Sequence, residues 1–450
     1  MARRGPSHGP VDARELERRF EERSATVAVV GLGCVGLPLS LALHRAGFRV
    51  LGLDSDRDKV ARMARGENPL RYVDGGAVEA MLAHERFELL RDAERLVEAD
   101  AILLCVPTPL DGAGQPDLSQ VEAAARAVAR HLRRGQLVVL ESTTWPGTTR
   151  EVVAPILAAS GLALGREVWL AYSPEREDPG RPGRTAARVP KLVGGLDEES
   201  ARLALALYSA AVDEVHAVSS AEVAEAAKLF ENTFRAVNIA LVNELKLVLE
   251  RLGIDVWEVI EAAATKPFGF MKFTPGPGMG GHCIPVDPFY LAWVARRAGA
   301  ATRFVELAGE LNRAMPAHVV ERTVAALASA ARPVEGARVL VLGLAYKPDV
   351  DATHESPAIR ILELLAARGA LLCYSDPWIP AAPAECGDLL EERTSIELTP
   401  ESLSSFDVVL VVTDHSAFDW DLVAAHARLV IDTRNALGAR MKGRAGYFRA

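Results

Sequence analysis

At 450 residues the chain is too long for one hydrophobic core, so two or three domains are expected. It is 49% hydrophobic and 25% charged, as soluble globular proteins are, and a net charge of -9 argues against a general nucleic-acid binder. No apolar run reaches the length of a membrane span, the opening MARRGPSHGP lacks the apolar core of a signal peptide, and five scattered cysteines without CxxC pairs indicate neither a disulfide framework nor a zinc site, which points to the cytosol.

Residues 1–24, rich in Arg, Glu, Pro and Gly, read as a mobile leader, although ARELERRFEERS could form a charged helix. From Thr26 the pattern changes. TVAVVGLGCVGLPLSLALHRAGFRVLGLDSD is a β-branched strand, then Gly31, Gly33 and Gly36 opening a helix, then a second strand ending at Asp54. In that context the glycine spacing is a strong dinucleotide fingerprint: a tight turn at Gly31, close backbone approach at Gly33 and helix–strand packing at Gly36. The helix start would take the phosphates, with Cys34 and Val35 on the turn. Asp54 would accept from a ribose diol and repel a 2′-phosphate, so NAD is expected over NADP.

Further strands follow at α/β spacing, at 101–107, 136–143 and 167–175, with a helix over Leu118–Arg133 between the first two. Their C-terminal ends place Thr108, Ser142 and Thr143, and Glu175 where a doubly wound sheet builds its site, and Glu175 has acid/base capacity. Residues 219–252 form the longest helical pattern, with Ser219 and Glu222 fitting a capping box. Its apolar residues fall on more than one face, as expected for a helix buried between domains and at a subunit contact. Lys228 and Asn232, four apart, share one of its faces.

PGPGMGGHCIPVDPFY (275–290) packs Gly276, Gly278, Gly280 and Gly281 against Cys283, with Asp287 and Pro288 opening a helix. A cysteine just ahead of a helix N-terminus is favoured as thiolate. A helical stretch to about Arg322 and a break at SAARPVEGA lead into a second α/β unit from Arg338. RVLVLGLAYKPD repeats the strand–turn opening, but Gly343 and Ala345 stand at the first two fingerprint positions and the third glycine is absent. Lys347 and Arg434, each past a strand, would suit the pyrophosphate of a different nucleotide.

GLGCVGLP, CVPTPL, ESTTWPGTT, SPEREDPG, KLFENTFRAVNIALVNEL, GPGMGGHCIPVDP, LGLAYKPDVD and IDTRN together resemble the nucleotide-sugar 6-dehydrogenases over residues 26–440. GGHCIPVDPFYL, TKPFGFM and SPEREDPG look most like the UDP-N-acetylglucosamine branch, with the mannosamine and galactosamine enzymes as near neighbours. The resemblance implies two Rossmann-like doubly wound α/β domains joined by a long central helix. It divides the chain into an NAD-binding domain (25–212), a helical dimerisation region with the cysteine loop (213–325) and a UDP-sugar domain (326–450). It implies a four-electron oxidation of a C6 alcohol by two NAD+, in surface-polysaccharide precursor synthesis, by a cytoplasmic homodimer or higher homo-oligomer without membrane or nucleic-acid partners and without a metal. The substrate is expected to be UDP-N-acetylglucosamine, with UDP-N-acetylmannosamine or UDP-glucose as the alternative.

By position the resemblance gives Cys283, Lys228, Asn232, Asp287, Glu175 and Thr143 catalytic roles. Gly31, Gly33, Cys34, Val35, Gly36, Asp54, Thr108, Ser142, Thr143 and His354 would bind the cofactor. Glu175, Arg176, Lys228, Asn232, Gly280, Gly281, Lys347 and Arg434 would bind the sugar nucleotide. Two positions depart from the family pattern. Pro179 stands where many relatives have a second glutamate, and His354 replaces an arginine that reaches the cofactor. His is shorter and mostly neutral at pH 7, so weaker NAD binding, or a compensating contact, is expected. A sensor that has lost catalysis would not need the intact Cys, Lys, Asn, Asp and Glu set, and a two-electron hydroxyacid dehydrogenase would not need the cysteine loop.

Overall fold

The computed structural model describes residues 12–178, 186–281 and 284–450. Cys283 and Pro179 lie outside the described residues, as do residues 1–11. The chain forms two compact units, one of residues up to Glu231 with Trp293–Gly299, the other of Asn232–Ala292 and Ala300–Ala450.

The first unit is built on an eight-stranded sheet: β1 (Thr26–Val30), β2 (Arg49–Leu53), β3 (Phe87–Leu89), β4 (Ala101–Leu104), β5 (Gln136–Leu140), β6 (Val168–Tyr172), β7 (Lys191–Gly195) and β8 (Val215–Ala217). Its order is β3-β2-β1-β4-β5-β6-β7-β8, parallel from β3 to β6, with β7 antiparallel to β6 and β8 parallel to β7. The central strands are buried along their length, which is why they read as unbroken Val/Ile/Leu runs instead of alternating ones. The chain crosses from one side of β1 to the other between β2 and β4, the switch point at which such sheets bind ligands beyond their strand ends.

The expected mobile leader is corrected over its described part. Ala13–Glu21 is a helix capped by Asp12, whose side chain accepts from Glu15 N. Ala13, Leu16 and Phe20, spaced three and four apart, are buried in the core of the first unit. Arg19 and Arg133 both reach the buried Asp100, at 3.2 and 3.0 Å, fixing the helix against the lower end of the sheet. A charged background hid a three-residue apolar stripe.

The second unit carries β9 (Arg338–Leu342), β10 (Leu371–Ser375), β11 (Val408–Val411), β12 (Val430–Asp432) and β13 (Tyr447–Arg449), all parallel in the order β10-β9-β11-β12-β13. In the chain between the two sheets runs the long helix Ala221–Arg251, followed by Val256–Ala264, Asp287–Arg297 and Arg303–Ser329. The single helical stretch expected up to Arg322 is therefore two helices, interrupted at Gly299 (φ +74°). The cap of the long helix is also one residue later than expected: Ser220, not Ser219, accepts from Val223 N at 3.3 Å. No helix among the described residues is long and apolar enough to cross a membrane.

Candidate active site

In the first unit the turn after β1 has the geometry a dinucleotide requires. Gly31 has φ +95°, and a Cβ there would lie 2.4 Å from Cys105 O. A Cβ at Gly36 would lie 1.8 Å from Gly31 O, so the helix Gly36–Ala46 packs directly on the turn. Gly33 differs: among the described residues nothing lies within 4 Å of a Cβ built on it. Among the described residues no side-chain cap bond is made at the N-cap, Val35, of the helix that follows. An open glycine at an uncapped helix start fits a diphosphate. Asp54 closes the turn, accepting from Leu32 N at 2.7 Å and Lys59 at 2.8 Å through one oxygen and from Asp56 N at 2.8 Å through the other. Burial pushes its pKa up, but the Lys59 and backbone hydrogen bonds outweigh that and hold it below the usual carboxylate range. The carboxylate is thus ionised and fixed, with lone pairs left on its second oxygen for a diol.

Three predicted site residues, Val35, Glu175 and Arg176, line one small pocket with Pro174, Glu177 and Lys191. Glu175 accepts from the backbone N–H of Glu177. The sequence reading missed Glu177. Burial and the neighbouring Glu175 raise its pKa to about 8, and its Oε1 has no hydrogen-bond partner among the described residues. The signal was present in SPEREDPG as a second acid two residues on, which an extended segment presents on the same side. Cys34 is exposed at the mouth of the glycine turn, but the crowding of surrounding atoms and the same two carboxylates push its thiol up, so it remains a thiol. Lys191 is engaged below the pocket in a buried pair with Glu141 at 2.7 Å.

Other predicted residues are occupied by the fold. Ser142 donates its hydroxyl to Val106 O at 2.7 Å, tying β5 to the chain leaving β4. Arg176 is held by Glu231 at 2.8 Å and by Pro190 O at 2.6 Å. Thr108 and Thr143 are half-buried. Glu225, on the long helix, accepts from Gly147 N, Thr149 N and the Thr149 hydroxyl at 2.6–2.8 Å, which anchors the TTWPGTT turn; burial nevertheless raises its pKa to about 7. Lys228, one turn after Glu225, is buried, 5% exposed.

In the second unit Asn232, one helical turn beyond Lys228, is 3% exposed and donates its Nδ2 to Asp287 Oδ2 at 2.5 Å. Asp287 is the first residue of its helix and Pro288 the second, one place further in than a cap. This bond joins the long helix to the helix that opens four residues after Cys283.

The glycine loop before Cys283 is shaped by close packing as much as by conformational freedom. Gly278 and Gly281 have φ of +136° and +92°. A Cβ on Gly276 would lie 2.5 Å from an Arg434 guanidinium nitrogen, and one on Gly280 2.7 Å from Glu355 O. A Cβ on Gly281 would strike the Tyr346 ring at 2.8 Å. Gly280 and Gly281, expected at the substrate, thus have a packing role. Gly276 N donates to Asn243 Oδ1 at 2.9 Å, and Gly281 N to His354 O at 2.9 Å. The Asn243 amide also donates to Asn312 at 3.0 Å, and all three groups are buried. His354 itself is exposed and serves the loop through its carbonyl. Lys347 follows Tyr346 and is half-buried, 5.8 Å from the ring centroid. Arg434 donates Nε to Val412 O at 2.9 Å while its fork lies against Gly276.

Models of the UDP-glucose/GDP-mannose dehydrogenase family match in order: the NAD binding domain at residues 25–212, the central domain at 222–314 and the UDP binding domain at 340–439. The chain is 36% identical to UDP-N-acetyl-D-glucosamine 6-dehydrogenase from Pseudomonas aeruginosa, over 87% of this chain and 91% of that one. It is 31% identical to UDP-N-acetyl-D-mannosamine dehydrogenase from Methanococcus maripaludis, over 94% and 95%. Among solved structures, UDP-D-ManNAc dehydrogenase from Pyrococcus horikoshii superposes with a TM-score of 0.84 at 31% identity, covering 94% of this chain and 98% of that one. With a dinucleotide turn in its first sheet, a second parallel sheet without one and the glycine loop between them in sequence, the chain belongs to the UDP-glucose/GDP-mannose dehydrogenase family and is an NAD-dependent sugar-nucleotide dehydrogenase.

Proposed function

We propose that the protein oxidises the C6 alcohol of a UDP-N-acetylhexosamine, UDP-N-acetylglucosamine by preference, to the carboxylate. The observation that carries the catalytic assignment is the buried 2.5 Å bond from Asn232 to Asp287, which fixes the helix following Cys283 to the face of the long helix that bears Lys228. The preference for the gluco sugar is supported by the 36% identity to the Pseudomonas aeruginosa enzyme.

Bound NAD+ supplies the hydride acceptor, twice. In the first oxidation a hydride leaves C6 and the O6 proton passes to base, giving the aldehyde. Cys283 Sγ adds to C6 as thiolate, forming a thiohemiacetal that cannot diffuse away. Loss of a second hydride and of the hydroxyl proton gives the thioester. Water then adds and expels the thiolate, leaving the carboxylate, two NADH and three protons. Lys228, with Asn232 beside it, stabilises the negative oxygen at each stage. Asp287, Glu175 and Thr143 order water and move protons. Lys347 and Arg434 hold the sugar nucleotide. Among the described residues the long helix exposes Phe230, Phe234, Leu241, Leu245 and Val248, which supports a homo-oligomer formed along it. A cytoplasmic location fits the scattered cysteines.

The test is a panel of UDP-sugars with NADH counted per sugar. Two NADH per UDP-N-acetylglucosamine, with the highest kcat/KM in the panel, is expected, and Cys283→Ser should lose acid formation. One NADH per sugar would remove the covalent route, and a higher kcat/KM for UDP-N-acetylmannosamine or UDP-glucose would reassign the substrate.

A further inference from the structure

The long helix ends at a pocket of about 380 Å³ in the second unit, walled by its last turns, by Trp257 on the next helix, by Arg322 and by the C-terminal strand with Tyr447 and Arg449. None of the residues given roles in the proposed reaction lines it. In its wall Lys246 is 5% exposed, and its Nζ has no hydrogen-bond partner among the described residues. A buried ammonium without a partner is costly, and proteins rarely keep one without a use. Burial lowers its pKa to about 8, which leaves it mainly protonated at pH 7.

The nearby carboxylates are already taken. Glu250 pairs with Arg322 at 2.8 Å and Asp255 with Arg449 at 2.5 Å. Each guanidinium still has a buried Nε–H without a partner among the described residues. Three cationic side chains that line one cavity thus each keep a buried donor without a partner among the described residues, the cavity's acids Glu250 and Asp255 are paired, and Trp257 and Tyr447 supply flat apolar surface beside them. The volume falls in the range of small-molecule sites. Donors without matching acceptors select an anion, and the aromatic wall selects an anion with a flat body.

We propose that this pocket binds a small organic phosphate of nucleotide size, its phosphate on Lys246 and its planar part against Trp257 and Tyr447. Asn243, one turn before Lys246 on the same helix, holds Gly276 of the cysteine loop, so an occupied pocket stiffens the helix segment that anchors that loop.

Trp257 is the reporter. The full chain is titrated with AMP and with UMP while tryptophan fluorescence is followed, and inorganic phosphate is added as competitor. Saturable quenching that phosphate reverses is expected. Lys246→Met, which keeps the length of the side chain and removes the charge, should weaken binding about tenfold or more. Trp257→Phe should remove the quenching while calorimetric binding persists. Arg434→Ala, which alters the proposed sugar-nucleotide contact, should leave the quenching unchanged and so separates the two sites. Absence of quenching in the parent chain, or quenching of parental affinity in Lys246→Met, would overturn the assignment.

Discussion

After β1 the chain turns at Gly31 with φ +95°, and after β9 it turns at Gly343 with φ +87°. In each case the glycine is forced by the end of the adjacent strand: Cys105 O in the first unit, and Thr413, 2.5 Å from a Cβ at Gly343, in the second. In each case an acid past the following strand closes the turn. Asp54 takes Leu32 N, and Asp376 takes Leu344 N and Ala345 N at 2.8 and 3.0 Å. There the two part. The first turn opens at Gly33 and runs straight into an uncapped helix, leaving backbone donors facing outward. In the second, Asp376 also accepts from Trp378 N and Ile379 N and contacts His415 Nε2 at 3.1 Å, and it is 1% exposed. Its helix starts only at Pro357, with Ser356 as cap. The same strand–turn–acid plan thus serves a ligand in one unit and the protein's own side chains in the other. The acid is a binding group where its partners are few and a structural clamp where they are many.

The largest expected effect separates those roles. Asp376→Ala should cost about 3–5 kcal/mol of stability, read from the urea midpoint, because it strands His415 and four backbone donors in a buried site. It should leave the KM for NAD unchanged. Asp54→Ala should cost only about 1–2 kcal/mol and raise the KM for NAD about tenfold or more. Equal stability losses would break the comparison. Burial pushes Asp376 up, but the His415 bond and backbone donors win and hold it below the usual carboxylate range. Its contribution is therefore fully present above the unfolded carboxylate value of about 4 and is lost only as pH falls further.

Glu177 gives the opposite sign. Its pKa is raised to about 8, so the ligand-free fold is favoured while the group is protonated. That advantage is lost as pH rises from the unfolded carboxylate value, about 4.5, towards 8, an effect on the order of a few kcal/mol. Glu177→Gln should flatten the fall of the urea midpoint over that window, and an unchanged slope would show that the pocket beside Glu175 is more hydrated than its geometry implies. The smallest effect is at His354. His354→Arg should lower the KM for NAD about threefold to tenfold, since the longer cation is restored while the carbonyl bond to Gly281 is kept. An unchanged or higher KM would remove His354 from the cofactor contacts.

Legibility in the sequence followed burial. The central strands announced themselves as unbroken apolar runs, and the three fingerprint glycines fixed the NAD turn to the residue. Short edge strands did not: KLVGG at β7 and VHA at β8 carry too little apolar pattern and are strands only because neighbours pair with them. The leader helix was hidden because its three buried residues find their partners far along the chain. At the site, the residue types were readable but their occupations were not. Arg176 is held by Glu231, Ser142 by Val106 O, and Gly280 by the backbone at Glu355, and such tertiary competition has no local signature.

The two backbone bonds on the glycine loop bear on timing. In the proposed reaction one substrate molecule meets two cofactor molecules in succession, so spent NADH leaves and fresh NAD+ arrives while the half-oxidised sugar waits. The loop is tethered at Gly276 by the Asn243 amide and at Gly281 by a carbonyl, and both tethers belong to the second unit. Under the proposed mechanism, the glycine loop that precedes the nucleophilic cysteine is thus held by groups of the second unit alone, while the NAD turn belongs to the first.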